Sequence, residues 1–178
     1  MSRIRITGGE WRSRLIHVAE VQGLRPTPDA VRETLFNWLG QDLTGWHCLD
    51  LFAGSGILGL EAASRGAAEV TLVEKDRRAF AQLRRNLDAL AAGEGIRLVS
   101  GDALKFVASA SSAYDLIFLD PPYHGGWLDR VAPLLDRVAN PHGRIYAEAE
   151  HPLQGLGNWA VIRQGRTGQV HYHLLERA

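Results

Sequence analysis

The sequence predicts a Rossmann-like α/β fold: a seven-stranded, mostly parallel sheet with helices on both faces and an antiparallel hairpin at its C-terminal end. Three observations predict it. From His47 onwards, short and nearly all-apolar runs alternate with segments of helical period, the pattern of a parallel sheet covered on both faces. A glycine-rich turn with Gly54, Gly56 and Gly59 joins the first such run to the helix after it. The last two runs are joined by "GRTG" with no helix between them, which reads as a hairpin on the sheet edge.

Taken in order, Thr27 is placed to cap a helix with Pro28 at its first position. Val31, Leu35, Trp38 and Leu39 follow at helical spacing, and Gly40 stops it. "HCLDLF" reads as a strand, Ile57 to Arg65 as a helix closed by Gly66, and "EVTLVE" as a strand. Asp76 to Ala92 reads as a long helix with Phe80, Leu83, Leu87 and Leu90 on one face. "IRLVS" is a strand, and Asp102 caps a short helix after it. "YDLIFL" is a strand, Leu128 to Val138 a helix and "GRIYAEA" a strand. "NWAVIRQ" and "QVHYHLLER" complete the sheet, the final strand inserted antiparallel.

A chain of 178 residues fits one domain. We expect a single unit over 1–178, with a basic arm at 1–26 and a catalytic core at 27–178. Net charge is zero, so any site for a polyanion is local. From Met1 to Arg32, Arg3, Arg5, Arg12, Arg14, Arg25 and Arg32 outnumber Glu10, Glu20 and Asp29. The single cysteine, Cys48, lies in an apolar run. It reads as a small buried hydrophobe in a reducing compartment. No apolar signal core opens the chain and no run approaches membrane-spanning length. The expectation is a cytoplasmic protein without membrane contact. His and Cys are not clustered at metal-ligand spacing, so no metal is expected.

The glycine turn alone is a weak signal, shared with nicotinamide dehydrogenases. Asp50 tilts the reading, because a carboxylate four residues before Gly54 would repel a pyrophosphate and suit a cation. The closing hairpin also stands where a dehydrogenase carries its second nucleotide-binding unit. A cofactor with a sulfonium and no phosphate, S-adenosylmethionine, fits Asp50, Glu74 and Asp102 around such a turn.

"DPPY", Asp120 to Tyr123, ends an apolar strand. Prolines remove N–H donors and fix φ, so the segment presents acceptors. Asp120 and the Pro121 carbonyl suit one amino group, and Tyr123 offers a ring to a base. These groups sit where parallel strands end, the edge at which such sheets bind ligands.

"DPPY" together with "DLFAGSG" resembles the exocyclic-amino methyltransferases of adenine, cytosine and guanine. "RITGGEWRSRLIHV", "LRPTPDAVRETLFNWL", "LDLFAGSGILGLEAASRGA" and "GQVHYHLLER" narrow the resemblance to the RsmD family. The resemblance implies S-adenosylmethionine-dependent methylation of a guanine N2 in bacterial 16S ribosomal RNA, within the small ribosomal subunit, by a monomer. It implies that Asp50, Phe52, Ala53, Gly54, Ser55 and Gly56 line the cofactor's amino-acid and sulfonium region. Glu74 and Lys75 would meet its ribose, and Asp102 and Ala103 its adenine. Asp120, Pro121, Pro122 and Tyr123 would hold the guanine. Arg3, Arg5, Arg12, Arg14, Arg25, Thr27 and Arg32 would form the RNA side of the site. A DNA adenine-N6 methyltransferase shares the tetrapeptide and stays the alternative.

Overall fold

The protein's architecture is given by a computed structural model that describes residues 2–178. Two N-terminal strands, β1 (Ser2–Arg5) and β2 (Leu15–Val18), pair as a separate antiparallel hairpin. The main sheet is built from β3 (His47–Asp50), β4 (Glu69–Glu74), β5 (Ile96–Ser100), β6 (Tyr114–Leu119), β7 (Ala139–Ala149), β8 (Gly155–Leu156), β9 (Trp159–Thr167) and β10 (Val170–Arg177). Their spatial order is β5-β4-β3-β6-β7-β10-β9-β8. The strands from β5 to β7 are parallel, and β10 lies antiparallel between β7 and β9. The expected hairpin with an inserted last strand is therefore present. The two-residue β8 at the outer edge makes eight strands rather than seven.

Alternation through the parallel strands feeds two cores. Cys48, Leu72, Leu116 and Phe118 face one layer with Leu35, Phe36 and Leu60. Leu49, Val73, Ile117 and Leu119 face the other with Val107, Leu135 and Val138. Each such side chain contributes roughly 1.5–3 kcal/mol by leaving water, which is why these strands are apolar on both faces.

The helices are α1 (Asp29–Leu39), α2 (Ile57–Ser64), α3 (Arg77–Ala89), α4 (Ala103–Ser109), α5 (Trp127–Val131) and α6 (Leu135–Val138). Asp76 caps α3 by accepting from the amides of Arg78 and Ala79. Two expectations fail locally. Helix α1 has Pro28 as its cap and no side-chain capping bond, because the Thr27 hydroxyl is engaged elsewhere. The single helix expected over Leu128 to Val138 is split by a 3₁₀ turn at Ala132–Leu134. Pro133 lies in that turn and cannot donate to an α-helical ladder.

The N-terminal hairpin is docked on the core. Ile6, Ile16 and Val18 are buried, and the backbone of His17 exchanges hydrogen bonds with Asn86 on α3 at 3.1 and 2.8 Å. Gly9 has φ +78°, and a Cβ there would lie 2.0 Å from the Ser64 carbonyl oxygen. Beneath it, buried Glu61 accepts from Arg32 Nη1 at 2.6 Å and Arg65 Nη1 at 2.7 Å. Glu61 also accepts from the amide and hydroxyl of Thr7. Arg32 further donates to the carbonyls of Thr27 and Arg5 and to Asp29. Only 1% of Arg32 is exposed, so the RNA contact expected of it is corrected: its donors are spent on the fold.

Candidate active site

The sheet order brings a row of acids to one edge. Asp50 ends β3, Glu74 ends β4, Asp102 follows β5, Asp120 follows β6 and Glu148 stands near the end of β7. Neighbouring parallel strands lie about 4.8 Å apart, so these five carboxyl groups share one rim. Among the described residues, the ion pairs of this chain involve none of the five.

The glycine turn is held from below. Gly54 (φ +57°) and Gly56 (φ +82°) adopt left-handed backbone that other residues take only with strain. A Cβ on Gly54 would lie 2.6 Å from Leu24, and one on Gly56 2.3 Å from Leu83. The amide of Gly54 donates to Glu74 Oε1 at 2.8 Å, and the amide of Asp76 to Glu74 Oε2 at 2.8 Å. Glu74 therefore positions the turn, with lone pairs left for a ribose hydroxyl.

Asp50 is buried, and its Oδ2 accepts from the amide of Gly59 at 3.2 Å. Its Oδ1 has no partner. Burial raises this carboxyl to about 7, aided by the charge of Glu74 and opposed by the Gly59 amide. An orphaned buried carboxyl oxygen next to a glycine cradle is a socket for a cationic group. A cofactor bearing an ammonium and a sulfonium meets that requirement, and a pyrophosphate does not. The donor set therefore fits S-adenosylmethionine.

On the far side of the turn, Phe52 packs edge-on to Trp127 with centroids 5.7 Å apart. Lys75 Nζ lies 5.0 Å over the same indole. Ala53, Ser55 and Ala103 are buried. Asp102 Oδ1 accepts from the amide of Lys105 at 3.0 Å, so it caps α4 and also borders the open cleft beside β5.

The tetrapeptide stands as expected at the strand end. Asp120 is half-buried, Pro121 buried and Pro122 exposed, and Tyr123 is 44% exposed. Desolvation pushes Asp120 well above the usual carboxylate range, with the charges of Glu148 and Asp50 adding to it. Burial likewise raises Glu148, against hydrogen bonds donated by Thr27 and Tyr146.

Of the expected RNA-side residues, Arg3, Arg5, Arg12, Arg14 and Arg25 are exposed. Arg5 pairs with Asp29 at 3.2 Å, and Arg14 donates to the Ala89 carbonyl at 3.1 Å. Thr27 is 3% exposed and joins Asp120 and Glu148, so its expected RNA contact is also corrected. Glu148 and Tyr146 escaped sequence reasoning. The signal was there: Glu148 interrupts the apolar end of β7 as Asp120 terminates the run of β6.

Fold and rim together define a class: the protein is a Rossmann-like, S-adenosylmethionine-dependent methyltransferase. The family model described as Conserved hypothetical protein 95 matches residues 4–176, and the chain belongs to that family, the RsmD family. Ribosomal RNA small subunit methyltransferase D of Escherichia coli (strain K12) is 45% identical over 181 residues, covering 98% of this chain and 90% of the relative. The protein of the same name from Haemophilus influenzae is 39% identical over 180 residues, covering 97% of this chain and 93% of the relative. The solved structure of yhhF from Escherichia coli superposes with a TM-score of 0.88 at 45% identity, covering 99% of this chain and 98% of that one.

Proposed function

We propose that this enzyme methylates the exocyclic N2 amine of one guanine in bacterial 16S ribosomal RNA, as a cytoplasmic monomer acting on the small ribosomal subunit. The observation that carries the reading is the placement of Asp120 to Tyr123 on the same rim as Asp50 and the glycine turn. The names of the relatives, small-subunit ribosomal RNA methyltransferases, supply the substrate class. Among the described residues no helix is long and apolar enough to cross a membrane.

When bound, the cofactor supplies an electrophilic methyl group on sulfur. The chain's own residues do the rest. Asp120 and the Pro121 carbonyl accept the hydrogens of the target amine and aim its lone pair. Accepting those hydrogens favours a pyramidal nitrogen, whose lone pair is freed from the ring. Tyr123 offers its exposed face to an unstacked base, a contact worth about 1–3 kcal/mol. Alignment of this kind can lower a displacement barrier by about 7–11 kcal/mol in favourable systems. Arg3, Arg12, Arg14 and Arg25 supply salt-sensitive phosphate contacts.

The test is product mapping. Small subunits from cells lacking the protein are incubated with purified enzyme and tritium-labelled methyl donor, and the RNA is digested to nucleosides. The label is expected in N2-methylguanosine of 16S RNA. Label in N6-methyladenosine, or transfer only to duplex DNA, would establish the adenine-N6 alternative instead.

A further inference from the structure

Behind the tetrapeptide, one hydroxyl stands between two carboxyl groups. Thr27 Oγ1 lies 2.5 Å from Glu148 Oε2 and 3.4 Å from Asp120 Oδ2. Thr27 enters from the segment before α1, while Glu148 lies 121 residues later on β7. Tyr146 also donates to Glu148 Oε2, at 3.0 Å. Thr27 and Glu148 are 3% and 6% exposed, so bulk water does not serve them.

A threonine hydroxyl has one hydrogen to donate and two lone pairs with which to accept. The short contact places that hydrogen on the Glu148 side. The lone pairs then face Asp120. An ionised Asp120 has no hydrogen to offer them, and 3.4 Å is too long for an O–H···O bond. The gap therefore becomes a hydrogen bond only when Asp120 carries a proton and closes on Thr27. That is the state reached when Asp120 has taken a proton from the target amine.

We propose that Thr27 and Glu148 form a proton relay behind Asp120, with Glu148 as the terminal acceptor of the proton lost by the methylated amine. This rests on the reading of Asp120 as the group that holds that amine. In the step, the nitrogen lone pair forms the new N–C bond as the C–S bond breaks and its electron pair goes to sulfur. The nitrogen, now cationic, gives one proton to Asp120 Oδ2. Asp120 passes a proton to Thr27 Oγ1 as Thr27 passes its own hydrogen to Glu148 Oε2. One proton has moved from nitrogen to Glu148, Asp120 and Thr27 are restored, and no oxidant or metal is consumed. When the product departs, the proton returns from Glu148 through Thr27 to the half-buried Asp120, which then gives it to water.

The electrostatics agree. Desolvation and neighbouring charge raise Asp120, and burial raises Glu148, so each is a stronger base than an exposed carboxylate and is suited to take a proton in turn. The groups that bear on them are Asp50 from β3, Tyr146 from β7 and Tyr123 beyond β6. Tyr172 from β10 bears on Tyr146, and Arg25 and Glu150 bear on Tyr123. A glutamate whose partners are two hydroxyls, and which forms no ion pair among the described residues, would be served structurally by glutamine. Thr27 and Glu148 are buried behind Asp120, so they are positioning residues that act through it.

The experiment is single-turnover methyl transfer to unmethylated small subunits across acid and alkaline pH, with Thr27→Ser, Thr27→Val and Glu148→Gln. Melting temperature and calorimetric cofactor affinity are measured beside it. Thr27→Ser keeps the hydroxyl and is expected to keep the rate. Thr27→Val and Glu148→Gln are expected to lose about a hundredfold with cofactor affinity unchanged. In Glu148→Gln the acid limb of the pH profile moves to lower pH, because a like charge beside Asp120 is gone. Infrared titration of the Asp120 carboxyl in the unloaded protein shifts the same way. Thr27→Val turning over as fast as Thr27→Ser overturns the relay, as does an unmoved acid limb in Glu148→Gln. If Thr27→Val does not fold, Glu148→Gln decides alone. A wild-type protein that transfers no methyl group overturns the assigned reaction and the relay together; an active wild type with indifferent variants overturns only the relay.

Discussion

Glu74 Oε1 accepts the amide hydrogen of Gly54 at 2.8 Å. This one bond ties the end of β4 to the turn that follows β3, across 20 residues of chain. It makes Glu74 a support for the glycine cradle as well as a candidate ribose ligand. Glu74→Ala removes both functions and leaves the Gly54 amide without its acceptor, a loss of about 1–3 kcal/mol. Cofactor affinity, measured by calorimetry with the demethylated cofactor, is expected to fall by a factor of about 10 to 100. Glu74→Gln keeps an acceptor for Gly54 and should fall between. Equal affinities in the wild type and Glu74→Ala would remove Glu74 from the cofactor site.

Asp120→Ala should separate binding from chemistry. The variant is expected to bind cofactor normally and to lose methyl transfer by a factor of about 10² to 10⁴. At Tyr123 the exposed ring matters more than the hydroxyl. Tyr123→Phe should retain most activity, while Tyr123→Ala should weaken substrate binding by about 1–3 kcal/mol. Paired calorimetry and tritium incorporation check both; near-normal turnover in Asp120→Ala would falsify its assigned role.

The arginines of the N-terminal region divide into two behaviours. Arg32 is buried against Glu61, so Arg32→Ala leaves a buried carboxylate with one cation fewer and costs about 3–5 kcal/mol of stability. Arg12 and Arg14 are exposed, so neutralising both should leave the melting temperature close to that of the wild type. The double substitution should lower RNA affinity and flatten its dependence on log salt by about 0.7–0.9 for each phosphate no longer neutralised. Thermal melts and filter binding across salt concentrations distinguish the two. An unchanged salt slope would take Arg12 and Arg14 off the RNA surface.

Asp50 gives the protein a pH-dependent stability. Its folded value of about 7 lies above the ordinary aspartate value of 3.8. Between those values the unfolded chain releases the proton while the folded chain keeps it. The folded state then binds more protons, so stability falls as pH rises from about 4 to about 7 and stays lowered above that. Asp50→Asn abolishes this dependence, and is expected to raise unfolding stability at pH 8 by on the order of 2–4 kcal/mol while changing little at pH 4. Denaturant unfolding at the two pH values measures it. In the wild type, cofactor affinity should increase as pH rises through about 7, because an ionised Asp50 attracts a cationic ligand. Equal stabilisation at both pH values would show that Asp50 is ionised throughout.

The amino-acid sequence by itself determined the alternation of strands and helices, the glycine turn and the strand-end tetrapeptide. These are legible because their causes are local: an apolar run must be buried, a left-handed turn needs glycine, and Pro121-Pro122 must end a ladder. Even there, Pro133 broke a helix that apolar periodicity alone would continue. Only the tertiary structure decided which polar side chains meet. Thr27 looks like a helix cap in the sequence, yet its hydroxyl binds Glu148, 121 residues away, and stands 3.4 Å from Asp120, 93 residues away. Arg32 looks like a phosphate ligand, yet Glu61 on α2 holds it in the interior. A sequence shows charge and hydrogen-bonding capacity but not burial. Where water is excluded, each polar group must take whatever partner the packing brings to it, and that choice belongs to elements far apart in the chain.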